Sequence, residues 1–220
     1  MKSVTNIVYS SFFKRFFTLA VLLSLFIIIS AISYVNAISE NLSENLFRLH
    51  VIANSDSTED QDLKYLVRDN IIEYINELSQ NATTKNEMIL LIEENIGEIT
   101  KIAQDTVNIA GYNYDVNVKI GSFNFPTKYY GDISLPAGMY DSLRIEIGNA
   151  IGQNWWCVLF PPLCFVDVNS GIVPESSKEI MKDNLGAEEY RLISDDTVDV
   201  QFKFKIIEMF QNISTKLAKD

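Results

Sequence analysis

Residues 152–165 read Gly-Gln-Asn-Trp-Trp-Cys-Val-Leu-Phe-Pro-Pro-Leu-Cys-Phe. This segment holds both tryptophans, both cysteines and two of the five prolines of the chain. Large aromatic rings bury much apolar area, and paired prolines fix backbone dihedral angles. We therefore predict that residues 152–165 form a rigid structural or recognition centre.

The two cysteines of this segment could close a small ring. On one continuous helix, Cys157 and Cys164 would be separated by about 10 Å along the axis, which is too far for a disulfide. A bridge therefore requires the chain to turn at Pro161 and Pro162. Two buried free thiols are the open alternative, because free cysteine is among the most buried residue types.

The two adjacent tryptophans can be interpreted as core residues or as partner-binding residues. Neighbouring residues of a strand point to opposite faces, and on a helix they diverge by about 100°. At most one of Trp155 and Trp156 is therefore expected to be deeply buried. The other is a candidate binding residue, because tryptophan is enriched among the residues that dominate interface energetics.

The first 37 residues differ from the rest of the chain. Three basic residues precede an apolar run at residues 16–32, and all 29 acidic residues follow that run. A basic start, an apolar run and a small-residue site ending at Ala37 are typical of a secretory signal. The run is about as long as a membrane span, so an uncleaved anchor is the alternative. We expect residues 1–37 to be a signal peptide or membrane anchor and residues 38–220 to form one exported domain.

The exported part is strongly acidic. Residues 38–220 carry 15 basic and 29 acidic side chains, a net charge of −14. Such a body is repelled by phosphate backbones, so we expect no nucleic acid partner. The basic residues before the apolar run favour a cytoplasmic N-terminus and an external body.

Hydrophobic periodicity predicts two helices after a first strand. A short strand is expected at residues 47–53, and the turn at residues 54–57 ends it. Capping patterns followed by apolar residues at helical intervals predict helices at residues 58–79 and 84–110. The short polar link between the two helices predicts that they are antiparallel neighbours.

The remaining pattern predicts strands and shorter helices. Alternating residues indicate strands at 114–120 and 143–147, and residues 127–133 could pair with the first of these. We expect a short helix at residues 175–184 and a strand that passes into a helix near Lys205. The fold class is therefore α+β, with two antiparallel amphipathic helices packed on a mainly antiparallel sheet in a single domain.

The chemistry of the cysteines argues against a catalytic site. His50 is the only histidine, and with Cys157 or Cys164 and Asn54 it could form a thiol hydrolase. The cysteines stand among aromatic and aliphatic residues, a setting that raises a thiol pKa instead of favouring the thiolate. We therefore predict no catalytic residues.

No metal or cofactor site is expected either. One histidine and two such cysteines are a poor zinc set, because structural zinc sites take four ligands. Asp56, Asp60 and Asp62 suggest calcium, but the pattern lacks the glycine and the glutamate of a calcium-binding loop. Capping of a helix N-terminus explains these carboxylates more simply.

Two blocks of the chain resemble the stage II sporulation protein R family. The first block is Arg48-Leu49-His50-Val51-Ile52-Ala53-Asn54-Ser55-Asp56-Ser57, followed by Asp60-Gln61, Leu63-Lys64 and Val67-Arg68-Asp69. The second block contains Tyr140-Asp141-Ser142-Leu143-Arg144-Ile145-Glu146-Ile147-Gly148 and residues 152–167. The similarity spans about residues 46–168.

The resemblance implies a signalling protein of endospore-forming bacteria. Members of the family are made in the forespore and exported into the space between the forespore and mother-cell membranes. There they activate a membrane-embedded aspartic protease of the mother cell, which processes pro-sigma-E. The partner implied for this chain is that protease, together with N-terminal membrane contact before or without cleavage.

Two hypotheses of different classes follow. In the first, the protein is a ligand that contacts the protease through five residues: His50, Asn54, Asp56, Trp155 and Trp156. Arg68 and Arg144 are then expected in ion pairs that hold the two blocks together, with Pro161 and Pro162 as structural residues. In the second, the protein is an exported hydrolase of the septal space, with Cys157 or Cys164 as nucleophile and His50 as base.

Overall fold

A computed structural model describes residues 2–80, 82–164, 173 and 175–194. The chain divides into two compact units, Met1–Ile38 and Ser39–Asp220. Helix α1 (Lys2–Asn45) contains the apolar stretch Phe13–Ser30, whose 18 residues have a mean hydropathy of 2.0 and are not buried. By length and composition this stretch could cross a membrane, and a signal sequence has the same properties.

The second unit is built on a four-stranded sheet with the strand order β2-β5-β1-β6. Strand β1 is parallel to β5, whereas the β1–β6 and β2–β5 pairs are antiparallel. Strands β3 and β4 form a separate two-stranded sheet. The elements after α1 are β1 (Phe47–Ile52), α2 (Thr58–Leu78), α3 (Lys85–Glu94), α4 (Ile96–Ile109), β2 (Val116–Phe125), β3 (Lys128–Tyr130), β4 (Ile133–Leu135), β5 (Gly138–Ile147), β6 (Asn154–Phe160), α5 (Glu175–Asn184) and α6 (Ala187–Ser194).

Strand β1 is buried along its whole length. Phe47, Leu49 and Val51 belong to the hydrophobic core, together with apolar residues of α2, α3, α4, β5 and β6. Because side chains alternate along a strand, Arg48 and His50 lie on the opposite face of the sheet. We call the face that carries Leu49 the helix face and the face that carries His50 the second face.

The predicted helix at residues 58–79 is confirmed as α2. The Ser57 side chain accepts a hydrogen bond from the Asp60 amide, and the core residues recur at helical spacing. The second predicted helix is divided into α3 and α4 at Asn95. The Asn95 side chain donates to the Leu91 carbonyl and accepts from the Tyr74 hydroxyl, so its polar groups compete with the helical backbone at the break. The structure therefore has three helices where the sequence predicted two.

The strand pairing expected for residues 127–133 was wrong. Strand β2 pairs with β5, whereas β3 and β4 pair with each other. A two-residue turn joins β3 to β4, and its first residue, Gly131, has a φ of 59°. Such a turn closes a tight hairpin, which explains why these residues do not extend the main sheet.

The remaining elements agree in part with the sequence. Strand β1 and helix α5 are found where they were expected, and β2 and β5 are longer than predicted. Helix α6 was not predicted, and the expected strand-to-helix transition near Lys205 lies outside the described residues. A single α+β domain with a mainly antiparallel sheet is confirmed.

The loops after β1 and β5 pack closely together at one end of the sheet, and we call this contact the corner (residues 53–57 and 148–153). Four backbone amides of the second loop donate across it: Gly152 to the Ala53 carbonyl, Ile151 to the Asn54 carbonyl, Asn149 to Asn54 Oδ1 and Gln153 to Asp56 Oδ1, at 3.0, 3.4, 2.9 and 2.7 Å. A Cβ atom at Gly152 would clash with the Ser55 carbonyl group. Glycine is therefore needed here for close approach of two backbones.

We predict that Gly152→Ala destabilises the folded domain by about 1 to 3 kcal/mol, because one of the two backbones must move. Gly97→Ala in α4 is the matched control, since a Cβ atom there meets no atom within 4 Å. Alanine in a helix is more favourable than glycine by about 0.5 to 1 kcal/mol, so this variant should be slightly stabilised. Denaturant unfolding measures both changes, and equal stability of the two variants would contradict the account.

Candidate functional site

The tryptophan pair lies on β6, an edge strand of the sheet. Trp155 is opposite Val51 and Trp156 is opposite His50 in the antiparallel register. The two rings therefore lie on opposite faces of the sheet, as predicted for adjacent strand residues. Both tryptophans are half-buried, so each is in contact with the fold and also retains exposed surface.

On the helix face, Trp155 packs against α2. Its ring lies 4.2 Å from the Arg68 guanidinium carbon and 5.7 Å from the Tyr65 ring, in an edge-to-face arrangement. A guanidinium over an indole is a favourable cation–π contact of about 0.5 to 2 kcal/mol. The indole nitrogen of Trp155 has no hydrogen-bond acceptor among the residues that the structure describes.

On the second face, Trp156 is stacked on His50. The two rings are 3.7 Å apart with an interplanar angle of 18°, and Phe125 meets the indole edge to face at 4.6 Å. His50 Nε2 is 2.6 Å from Asn154 Oδ1, which fixes the plane of the imidazole. Only 4% of His50 is exposed, so the imidazole supports the Trp156 ring from inside the protein.

Burial lowers the pKa of His50 to about 4 from its ordinary value of 6.5. Arg144 and Arg48 add to this effect, while the hydrogen bond with Asn154 and the charge of Glu146 oppose it. The imidazole is therefore neutral at physiological pH. A neutral ring stacks on an indole without the cost of burying a charge.

The ion pairs of Arg68 and Arg144 do not connect the two blocks, contrary to expectation. Arg68 pairs with its neighbour Asp69 at 2.6 Å, and Arg144 pairs with Glu146 of the same strand at 2.8 Å. Arg68 reaches the second block through its contact with the Trp155 ring. Other links between the blocks include the strand pairing of β1, the contacts of His50 with Trp156 and Asn154, and the hydrogen bonds of the corner.

Asn54 and Asp56 lie at the corner, where both serve as structural acceptors. Asn54 also donates to the Asp60 carboxylate at 2.8 Å, and the Ser55 hydroxyl donates to the same oxygen at 2.5 Å. Burial would raise the pKa of Asp60, but hydrogen bonds from Ser55, Asn54, Tyr114 and Ser57 hold that pKa below its ordinary value. Asp60 therefore stabilises the corner as an anion, a function that the sequence suggested only in part, as helix capping.

A disulfide joins Cys157 and Cys164, whose Cα atoms are 5.3 Å apart. The chain turns at Pro161 and Pro162 between them, and the Phe160–Pro161 peptide bond is cis. Cys157 pairs with Leu49 and belongs to the core on the helix face. His50 lies on the second face, so the sheet separates it from Cys157.

The described residues contain no group of three or more histidine, cysteine, aspartate or glutamate side chains that could hold a metal ion.

The low pKa of His50 predicts a pH-dependent stability. Because the folded-state pKa lies below the unfolded value, the stability present above pH 6.5 is lost as the pH falls towards 4. The shift corresponds to about 3 kcal/mol of unfolding free energy, and His50→Gln should remove this dependence. Since the chain has one histidine, its imidazole NMR resonance reports the pKa directly. A titration midpoint near 6.5 in the folded protein would contradict the burial argument.

Comparison with known proteins assigns the chain to a family. The family model described as stage II sporulation protein R matches residues 43–170, which include the tryptophan strand, the corner and the disulfide. A curated protein of Bacillus subtilis (strain 168), named stage II sporulation protein R, is 39% identical over 143 residues, and the match covers 64% of this chain and 64% of that protein. No solved structure matches. The chain belongs to the stage II sporulation protein R family.

Proposed function

We propose that this protein is an exported intercellular signal of sporulation that activates a membrane-embedded aspartic protease of the mother cell. Activation of the protease leads to processing of pro-sigma-E. The observation that carries the proposal is the family match over residues 43–170. The apolar stretch Phe13–Ser30 supports it, because a signal of this kind must cross or enter a membrane.

The proposed location is the space between the forespore and mother-cell membranes. Residues 1–37 act as a signal peptide or membrane anchor, and residues 38–220 form the exported signalling domain. An acidic body on the external side agrees with the position of the basic residues before the apolar stretch.

The proposed mechanism is that of a ligand that shifts a receptor between two states. Moving the protease from about 1:99 to 99:1 in favour of its active state requires roughly 5.5 kcal/mol of differential binding. A small number of buried aromatic anchors can supply this energy, since residues that dominate interfaces contribute about 2 to 4 kcal/mol each. Catalysis by the ligand itself is not needed.

Within the proposed contact set, the two tryptophans meet the receptor directly. Both are half-buried on an edge strand, and the Trp155 indole N–H has no acceptor among the described residues. The nitrogen of that N–H group is itself buried, so the receptor would contact the exposed part of each ring. His50, Asn54 and Asp56 support the tryptophan strand through stacking and the corner.

The geometry argues against the cysteine hydrolase. Both sulfurs are joined in the disulfide, so neither is available as the thiolate that a nucleophilic mechanism requires. A base at His50 would also have to act through the sheet, because Cys157 lies on the other face. We therefore propose that the protein has no catalytic activity of its own.

Replacing Trp155 and Trp156 together by alanine should abolish pro-sigma-E processing in sporulating cells while the protein is still exported. Tyr129→Ala is the matched control, because Tyr129 is a 53% exposed aromatic residue outside the proposed contact set. Protection of the two cysteines from alkylation reports that the disulfide has formed in each variant. Normal processing with the double tryptophan variant would remove both residues from the contact set.

Replacing Cys157 and Cys164 together by serine distinguishes the ligand from the hydrolase. Loss of a native disulfide typically costs about 2 to 5 kcal/mol of stability. For a ligand, signalling should fall in proportion to the loss of folded protein and recover at lower temperature. Complete loss of signalling in a variant that unfolds at the same temperature as the wild type would favour the hydrolase.

A further inference from the structure

Arg48 is fully buried on the second face of β1, although it has no acidic partner among the described residues. Its Nη2 donates to the Tyr130 hydroxyl at 2.6 Å. The guanidinium carbon lies 4.1 Å from the centre of the Phe125 ring and 4.8 Å from that of Tyr140. In the part of the chain that the structure describes, the N–H groups of Nε and Nη1 have no hydrogen-bond acceptor.

The contacts of this guanidinium offset only part of the free-energy cost of burying its charge. Cation–π contacts are worth about 2 kcal/mol when desolvated, whereas the effective cost of burying an ion is several kcal/mol. Glu146, an acidic residue of the same face, already pairs with Arg144 and Lys119. Burial lowers the pKa of the Lys128 amine, and the charge of Arg48 lowers it further, so these two cations oppose each other.

Two further buried groups beside Arg48 have unused hydrogen-bonding atoms. Ser142 of β5 is opposite Arg48 in the parallel register, is fully buried, and its Oγ has no partner among the described residues. His50 is the next residue on the same face, and its Nδ1 has no partner among the described residues, but in the neutral ring this nitrogen is an acceptor and not a donor. Buried donors in native proteins are rarely left without an acceptor, so the free donors of Arg48 and Ser142 require an explanation.

We propose that Arg48 and Ser142, which lie beside His50, line a buried anion site that takes a single carboxylate group. Guanidinium N–H groups and a serine hydroxyl are donors, and together they match the two oxygens of a carboxylate. Hydrogen bonds in which both partners are charged are the strongest of those available to a protein. One guanidinium balances the single charge of a carboxylate, whereas a phosphate carries more charge at pH 7.

The β3–β4 hairpin is the element that opens this site. Tyr130 of β3 donates to the Trp156 carbonyl and accepts from Arg48, so it covers the guanidinium. Each strand of the hairpin has three residues, and the two strands pair with each other. Strand β4 is also buried, and Ser134 Oγ donates to the Ile193 carbonyl, so entry of an anion requires a local opening that breaks these contacts.

The test measures thermal unfolding of the full chain in detergent at constant sodium concentration and pH 7. Replacing chloride by acetate should produce a saturable rise of several degrees in the unfolding midpoint, because a ligand that binds the folded state stabilises it. Arg48→Met should lose this response, whereas Arg68→Met, which removes a guanidinium on the helix face, should keep it. Ser142→Ala should weaken the response and serves as the second variant if Arg48→Met does not fold.

Further additives, which are two peptides and phosphate, distinguish the source and shape of the anion. A blocked aspartate tripeptide and its asparagine counterpart test whether a carboxylate on a peptide enters the site as acetate does. Stabilisation by acetate alone assigns the site to small carboxylic acids, and stabilisation by the aspartate peptide assigns it to an acidic protein segment. An equal response to phosphate overturns the preference for a carboxylate. An equal response to chloride and acetate, or an unchanged response in Arg48→Met or Ser142→Ala, overturns the site itself.

Discussion

The central position of β1 is the constraint on which the rest of the structure depends. The strand pairs with β5 on one side and β6 on the other, and all six of its residues are buried. Leu49 and Val51 face the helices, so Arg48 and His50 must face the other way. One short strand therefore fixes the hydrophobic core and also places a cation and an imidazole in a covered layer.

The corner fixes the position of the surface that β6 presents. Backbone amides of residues 149, 152 and 153 bond to the loop that follows β1, and the close approach at Gly152 leaves no room for a side chain. The start of β6 is thereby fixed relative to β1. The disulfide joins the middle of β6 to the turn that follows the strand, so the tryptophan strand is restrained on both sides of Trp155 and Trp156. A restrained aromatic surface loses little conformational entropy on binding, which suits a ligand.

The sequence predicted local structure well where periodicity and capping agreed. Helix α2 follows from the Ser57 cap and the apolar spacing, and the opposite orientations of Trp155 and Trp156 follow from adjacency on a strand. The break at Asn95 was missed because the apolar spacing continues across it. Pairing between distant strands was also missed, since alternation predicts a strand but not its neighbours. The burial of Arg48 depends on that pairing, so no local signal could have identified it.

The residues of the candidate site also fall into those whose roles the sequence predicted and those whose roles it did not. Composition and the two blocks predicted the tryptophans, Asn54 and Asp56 as binding residues, which stays a prediction. They also indicated a possible disulfide, which the structure contains, but not the contacts of Arg68 and Arg144. Ion pairs between blocks were expected, but each arginine pairs within its own block, and Arg68 uses its planar face against Trp155 instead. Arginine can serve in either way, and only the tertiary structure decides between them.

The central claim is that this protein works by being bound. The most direct measurement reconstitutes the mother-cell protease in liposomes, adds the purified full chain on the external side, and follows cleavage of the pro-sigma-E substrate enclosed with the protease domain. The account predicts cleavage that saturates with the added chain and requires the protease in every case. Cleavage by the added chain in liposomes without the protease, or a protease rate that the chain does not change, would contradict it.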